Sequence, residues 1–204
     1  MQLAELYEPA LILHGHKCPA MPMGLRVGMA ALEKLGVDRS TDGQLMALID
    51  IGKDHCATCF ADGVQMATGC TLGKGNIQKL DYGKWGLTFI DKKSQKAVRV
   101  VPKTEAMMAT KKSEFLQEYR MKGIPASQVP EEVVQPLVDK VMGAPVEAMF
   151  DVSEVFDQAW HDDPHSFDSI VCDACGEMVV EPYARVLGDK KVCIPCEQKL
   201  RYGD

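Results

Sequence analysis

Two Cys-x2-Cys pairs near the end of the chain, Cys172/Cys175 and Cys193/Cys196, constrain its fold more than any other feature. A segment as short as residues 170–204 cannot bury enough apolar surface to fold unaided, so it needs a staple. Each Cys-x2-Cys presents two sulfurs from a tight turn, and two such turns close a tetrahedral zinc site with Zn–S bonds of about 2.3 Å. Gly176, directly after the first pair, is the residue that a knuckle turn wants. Residues 179–180 and 184–187 read as hairpin strands, with Gly188-Asp189 as a turn, and 196–202 as a terminal helix. The expectation is a structural zinc on Cys172, Cys175, Cys193 and Cys196, with all four thiolates consumed by the metal.

The chain has 8 cysteines, an even number that invites disulfides. Their clustering argues for metal or redox chemistry instead, since the N-terminus lacks the basic start and apolar run of an export signal. No apolar stretch approaches the ~18 residues needed to cross a bilayer, so a soluble, cytoplasmic protein is expected, without a membrane partner. The formal charge of −6 argues against a nucleic-acid surface. In residues 170–204 six acidic side chains outnumber five basic ones, whereas counterion release needs a concentrated basic face. The finger is therefore expected to be structural or to contact a protein partner.

The rest of the chain mixes both periodicities. Helices are predicted over residues 5–14, 22–35, 54–68, 113–122 and 131–142, the second from Leu25, Met29, Leu32 and Leu35 at three- and four-residue steps with Gly36 as its stop. Strands are predicted over 45–51 and 150–155, and a hairpin over 86–91 and 97–101. Residues 69–76 are too glycine-rich for a helix and read as a backbone-lined loop. From Asp151 to Ser169 there are six acidic residues and no Lys or Arg, a composition shift typical of a linker. The reading is an α+β fold: a mixed helix/sheet domain over 1–156, an acidic connector over 157–169, and a four-cysteine zinc finger over 170–204.

Chemistry concentrates in the larger domain. His14-Gly15-His16-Lys17-Cys18-Pro19 puts two imidazoles and a thiol within a few residues, all good ligands for a borderline metal. Cys18 sits just before a predicted helix, whose dipole stabilises a thiolate. In the helix predicted over 54–68, a rotation of about 100° per residue brings His55, Cys59 and Asp62 to one face. A buried core face does not normally carry those three together, although Cys56 fits a small buried hydrophobe.

His14-Gly-His16-x-Cys18-Pro19, Cys59-x-x-Asp62-x-x-Gln65, Thr68-Gly69-Cys70-Thr71-x-Gly73-Lys74-Gly75-Asn76 and Asp81-Tyr82-Gly83-Lys84, in that order, closely resemble the FmdE-like family of formylmethanofuran dehydrogenase proteins. The later part fits more loosely, and the C-terminal finger, of treble-clef or zinc-ribbon type, resembles an extension that some members carry. The resemblance implies a homodimer of α+β domains, with a cleft near the dimer interface in which a metal is often bound. It implies a cleft lined by His14, His16, Cys18, Cys59, Asp62, Gln65, Cys70 and Lys74. The usual Cys-Ala-Val-Asp-Ala-(Ile/Leu)-Gln becomes Cys59-Phe-Ala-Asp62-Gly-Val-Gln65, which keeps the polar residues. His55-Cys56 is a local departure, so neither is expected to touch the metal.

Two function classes follow. In the first, His16, Cys18 and Cys59 hold a second transition metal, zinc being the expected one, and Asp62 or Gln65 orients a ligand. His14 is a fourth candidate, or an acid or base in the same cleft. The amides of residues 73–76, with Lys74, form a nest for a small anionic ligand. In the second, the protein is an accessory or regulator of a molybdenum or tungsten enzyme and uses the finger for partner contact. The coordination number separates them, because an open position marks catalysis and a closed one marks structure.

Overall fold

The His/Cys run near the N-terminus is shaped by how one helix stops and the next begins. α1 (Leu3–His14) ends at Gly15, whose φ of +87° is the left-handed conformation of a helix stop. α2 (Ala20–Leu35) starts directly after Pro19. Residues 15–19 are thus held in a short turn. In this computed structural model, which describes residues 2–162 and 164–203, the chain divides between Trp160 and His161 into two compact units.

In the first unit α2 is the central helix, buried along most of its length against α3 (Phe60–Thr68) and the sheet. Two glycines permit the approach. A Cβ at Gly24 would lie 2.0 Å from the Phe60 carbonyl oxygen, and one at Gly63 would lie 2.0 Å from that of Met21. Any larger residue would push the helices apart.

The sheet is built from β1 (Leu45–Ile49), β2 (Ile77–Lys79), β3 (Leu87–Asp91), β4 (Lys96–Pro102) and β5 (Phe150–Val152), in the order β2-β1-β3-β4-β5, with β6 (Phe156–Asp157) paired to the start of β4. β1 and β2 run parallel with Ile49 opposite Lys79, and α3 lies in their crossover. The other pairs are antiparallel. One core packs Val27, Phe60 and Val64 against Ile49, Phe89, Val98 and Phe150. A second gathers Leu6, Cys18, Leu25 and Phe115 with Val134 and Val138 of the helix Glu131–Gly143. Asp50, fully buried, pairs with the Arg99 guanidinium. Its carbonyl accepts from the amides of Tyr82 (3.0 Å) and Lys84 (3.4 Å), which ties the loop between β2 and β3 to the sheet.

Several predicted elements change. The helix expected over 54–68 begins only at Phe60, because residues 54–59 form successive turns, with amides of His55, Phe60 and Ala61 bonded three residues back. The helix expected over 113–122 is a wide π-helical turn at Phe115–Tyr119 followed by the 3-10 turn Arg120–Lys122. A helix Thr104–Lys111 precedes it, which the sequence did not signal. The first unit reaches past residue 156 into the stretch read as linker: β6 pairs with β4, and the Trp160 amide donates to Gln95 Oε1 (2.7 Å).

The second unit contains two hairpins. β7 (Ser169–Val171) pairs with β8 (Met178–Val180), and β9 (Ala184–Leu187) pairs with β10 (Lys190–Cys193) around Gly188-Asp189. Both segments expected as hairpin strands, 179–180 and 184–187, are strands, and each finds its neighbour across its own turn. A terminal helix, Ile194–Tyr202, follows. Among the described residues no helix is long and apolar enough to cross a membrane.

Candidate metal centres

The turn between α1 and α2 brings His14, His16 and Cys18 together, and the turn before α3 adds Cys59 from across the fold. One ligand atom from each of the four lies within 4.8 Å of all the others. His14 Nε2 is 3.2 Å from His16 Nε2 and 3.5 Å from Cys18 Sγ. A tetrahedral ion with Zn–N bonds of about 2.05 Å and Zn–S bonds of about 2.3 Å sets those edges at about 3.3 and 3.6 Å. The donors fit a transition ion, and two imidazoles with two thiols is a set that zinc accepts. His14, first a fourth candidate, belongs to the cluster on the same terms as the other three.

Asp62 completes the arrangement from outside. Nδ1–H of His14 donates to Asp62 Oδ2 (2.8 Å), which leaves Nε2 facing the other donors. The second carboxylate oxygen accepts from Gln65 Nε2 (3.3 Å), and Gln65 Oε1 accepts the Leu72 amide (3.0 Å). This carboxylate–histidine pattern fixes tautomer and ring orientation in metal sites. Asp62 also holds the His14 pKa up at about 9, with a further contribution from Cys59. The Cys59 thiol lowers the pKa of Cys18, helped by the backbone amides of Met21 and Ala20, while Cys18 and burial raise that of Cys59.

The cluster opens on a cleft of about 680 Å³ walled by the start of α3 and the ends of β1 and β2. Ile49 and Lys79 are the last residues of the two parallel strands, and the carboxyl ends of parallel strands are where α/β sheets bind ligands. Asp62 and Gln65 line this cleft, but Cys70 and Lys74 do not. Cys70 is fully buried in the main core, and burial pushes its thiol up to about 11. Lys74 turns its ammonium onto the carbonyls of Ser40 (3.0 Å) and Thr41 (3.3 Å). Two amides of the expected nest are used internally, since those of Lys74 and Gly75 bond to Thr71 and Leu72 in a 3-10 turn. The shared helix face of His55, Cys59 and Asp62 disappears with the later start of α3. His55 packs edge-on to Trp85 (4.7 Å between centroids), and Cys56 is exposed. Lys79 is the charged lining residue that sequence reasoning missed, beside the apolar Ile49, Leu72 and Ile77. Its only signal was the short alternation Ile77-Gln78-Lys79.

In the second unit Cys172, Cys175, Cys193 and Cys196 offer sulfurs that also lie within 4.8 Å of one another. Cys175 and Cys193 are 4.0 Å apart, against about 3.8 Å for the edge of a zinc–sulfur tetrahedron. The Gly176 amide donates to the Cys172 carbonyl (2.9 Å) at φ +78°, and the Cys193 amide donates to Cys172 Sγ (3.3 Å). Backbone amides of Cys175 and Cys193 pull the Cys172 thiol down to about 6, while the neighbouring Cys193 pushes Cys196 up to about 12.

Together these features define an α+β protein with a His/Cys donor cluster in one unit and a C4-type zinc finger in the other. Residues 13–151 match the family described as FmdE, molybdenum formylmethanofuran dehydrogenase operon, and residues 165–202 match the prokaryotic dksA/traR C4-type zinc finger. The chain belongs to the FmdE family. It shares 40% identity over 109 residues with a probable S-adenosyl-L-methionine-binding protein of Archaeoglobus fulgidus, a match that covers 51% of this chain and 28% of that one. The chain thus spans less than a third of that relative's length. The fold is similar to the crystal structure of a tungsten formylmethanofuran dehydrogenase FmdE-like protein from Syntrophus aciditrophicus. That likeness has a TM-score of 0.66 at 19% identity, over 99% of this chain and 95% of the other.

Proposed function

We propose that the first unit holds a transition metal, zinc by its donor set, on His14, His16, Cys18 and Cys59, and binds a small anionic ligand in the adjoining cleft. The observation that carries this reading is the convergence of four donor atoms within 4.8 Å at the wall of that cleft. Four protein donors fill a tetrahedral shell. A metal so held favours ligand recognition beside it over activation of a bound water, which needs an open position. The second unit carries a structural zinc on its four cysteines. Thiol-rich sites of both kinds need a reducing compartment, in keeping with the cytoplasm.

Elemental analysis tests the metal reading. The wild type is expected to hold two zinc equivalents per chain, and Cys18→Ser with Cys59→Ser only one. A wild type with one equivalent, unchanged in the double variant, would refute it.

We further propose that the protein is a homodimer, as the family resemblance implies and as two-fold assemblies are common. A monomer by sedimentation at micromolar concentration counts against this. A role as an accessory of a molybdenum or tungsten enzyme is the second reading. The family's operon description supports it, as do the exposed apolar side chains Met178, Val186 and Tyr202 on the finger, which suit partner contact. S-adenosylmethionine, named for the archaeal relative, is a candidate ligand for the same cleft, although most of that relative lies outside the match.

A further inference from the structure

Lys79 is the one lysine or arginine lining the cleft among the described residues. Its place is set by backbone geometry. Ile77 and Lys79 are two apart on β2 and face the same side, with Lys79 paired to Ile49 in the parallel ladder. The Leu80 amide donates to the Ile49 carbonyl (2.8 Å) and pins that end of the strand.

Many other lysines are engaged. Lys17, Lys34, Lys96, Lys103 and Lys122 each face a carboxylate, and Lys74 caps two carbonyls. The Lys79 ammonium has neither a hydrogen bond nor an ion pair with any described residue.

The charge around it narrows the ligand. Asp62, the one carboxylate in the lining, already accepts from His14 and Gln65 with its two oxygens. If the metal is divalent, two thiolates neutralise it. Lys79 is then the single cationic side chain in the lining, set against the one carboxylate of Asp62, so a monoanion suits the site better than a dianion. A phosphate dianion would bring a second negative charge toward Asp62, and like charges repel in a partly desolvated cleft.

The remaining wall is apolar. Ile49 and Ile77 line it, and Leu72 stands 82% exposed at its edge. We propose that Lys79 anchors the carboxylate of a small monocarboxylic acid whose apolar body lies along Ile49, Leu72 and Ile77. This rests on the reading of the cleft as a ligand site beside a metal and names the class of ligand it takes.

Ligand-observed NMR titration of the zinc-loaded full chain tests the proposal with hexanoate as the probe, against hexanol and inorganic phosphate. Hexanoate is expected to bind saturably, and hexanol and phosphate at least about tenfold more weakly. Lys79→Gln should weaken hexanoate by about tenfold or more, and Lys79→Arg should keep it within a few-fold. Both variants should retain the zinc content of the wild type. Equal binding of hexanoate and hexanol, tighter binding of phosphate, undiminished binding to Lys79→Gln, or no saturable hexanoate binding each overturns the proposal. A missing second zinc equivalent in the wild type instead refutes the metal reading, so the two failures are told apart by metal content.

Discussion

Removal of zinc from the C-terminal unit, by chelation or by Cys193→Ser, is expected to unfold residues 169–202 and leave the first unit folded. Among the described residues, the buried apolar content of this unit is Val192 together with the ligands Cys172 and Cys193, and only Val179, Leu187 and Cys196 pack against them. That is far too little to offset the chain entropy of ordering two hairpins and a helix. Binding of a structural zinc is worth about 10–16 kcal/mol, comparable to the whole stability of an ordinary domain. Cys193 ends β10, and its amide donates to Cys172 Sγ, so its side chain stands where the second hairpin meets the first cysteine pair. The first unit has two extensive cores of its own. Hydrogen exchange should therefore show amides of β9 and β10 losing protection while those of β3 and β4 keep theirs. A Cys193→Ser protein whose C-terminus stays protected would show that the finger is held by something other than its metal.

How much of this was legible in the sequence depends on whether the cause was local. The Cys-x2-Cys pairs, the hairpin at 86–101 and the helix stops at Gly15 and Gly36 follow from neighbours in sequence, so pattern and turn chemistry suffice. β2 does not. It has three residues, too few for a period, and exists because β1 offers a parallel edge. The helix Thr104–Lys111 buries no residue and carries no amphipathic stripe to read. For the site, donor types pointed to His16, Cys18 and Cys59, but the reason offered for Cys59 was a helix face that the structure replaces with a turn. Lys74 and Lys79 show the limit most clearly. Glycine-rich surroundings favoured Lys74 as the anion contact, yet its ammonium is claimed by the carbonyls of Ser40 and Thr41, which are more than thirty residues away in the chain. Which lysine reaches a cleft is decided by where each stem leaves the backbone, and spacing does not encode that.

Asp62→Asn is expected to weaken metal binding at the N-terminal site by about 10–100-fold while all four donors remain, the usual cost of removing a carboxylate behind a metal-bound imidazole. The new carboxamide would be near in size to the carboxylate but uncharged, so the bond to His14 Nδ1–H becomes weaker and Nε2 less basic. The loss should depend on pH, and its sign follows from His14. With Asp62 present its pKa is raised to about 9, so below that pH the metal must displace a proton from the imidazole. In Asp62→Asn that proton leaves at lower pH and competes less. The difference between the two proteins is therefore full above about pH 9 and narrows as the pH falls toward neutrality. Competition with a colorimetric chelator at both ends of that range measures it, with the four-cysteine site as an internal control that the substitution leaves alone. Equal affinities in alkaline solution would mean that Asp62 does not support the metal through His14. A gap that widened toward neutral pH would mean that the carboxylate acts on the site by some route other than the basicity of that ring.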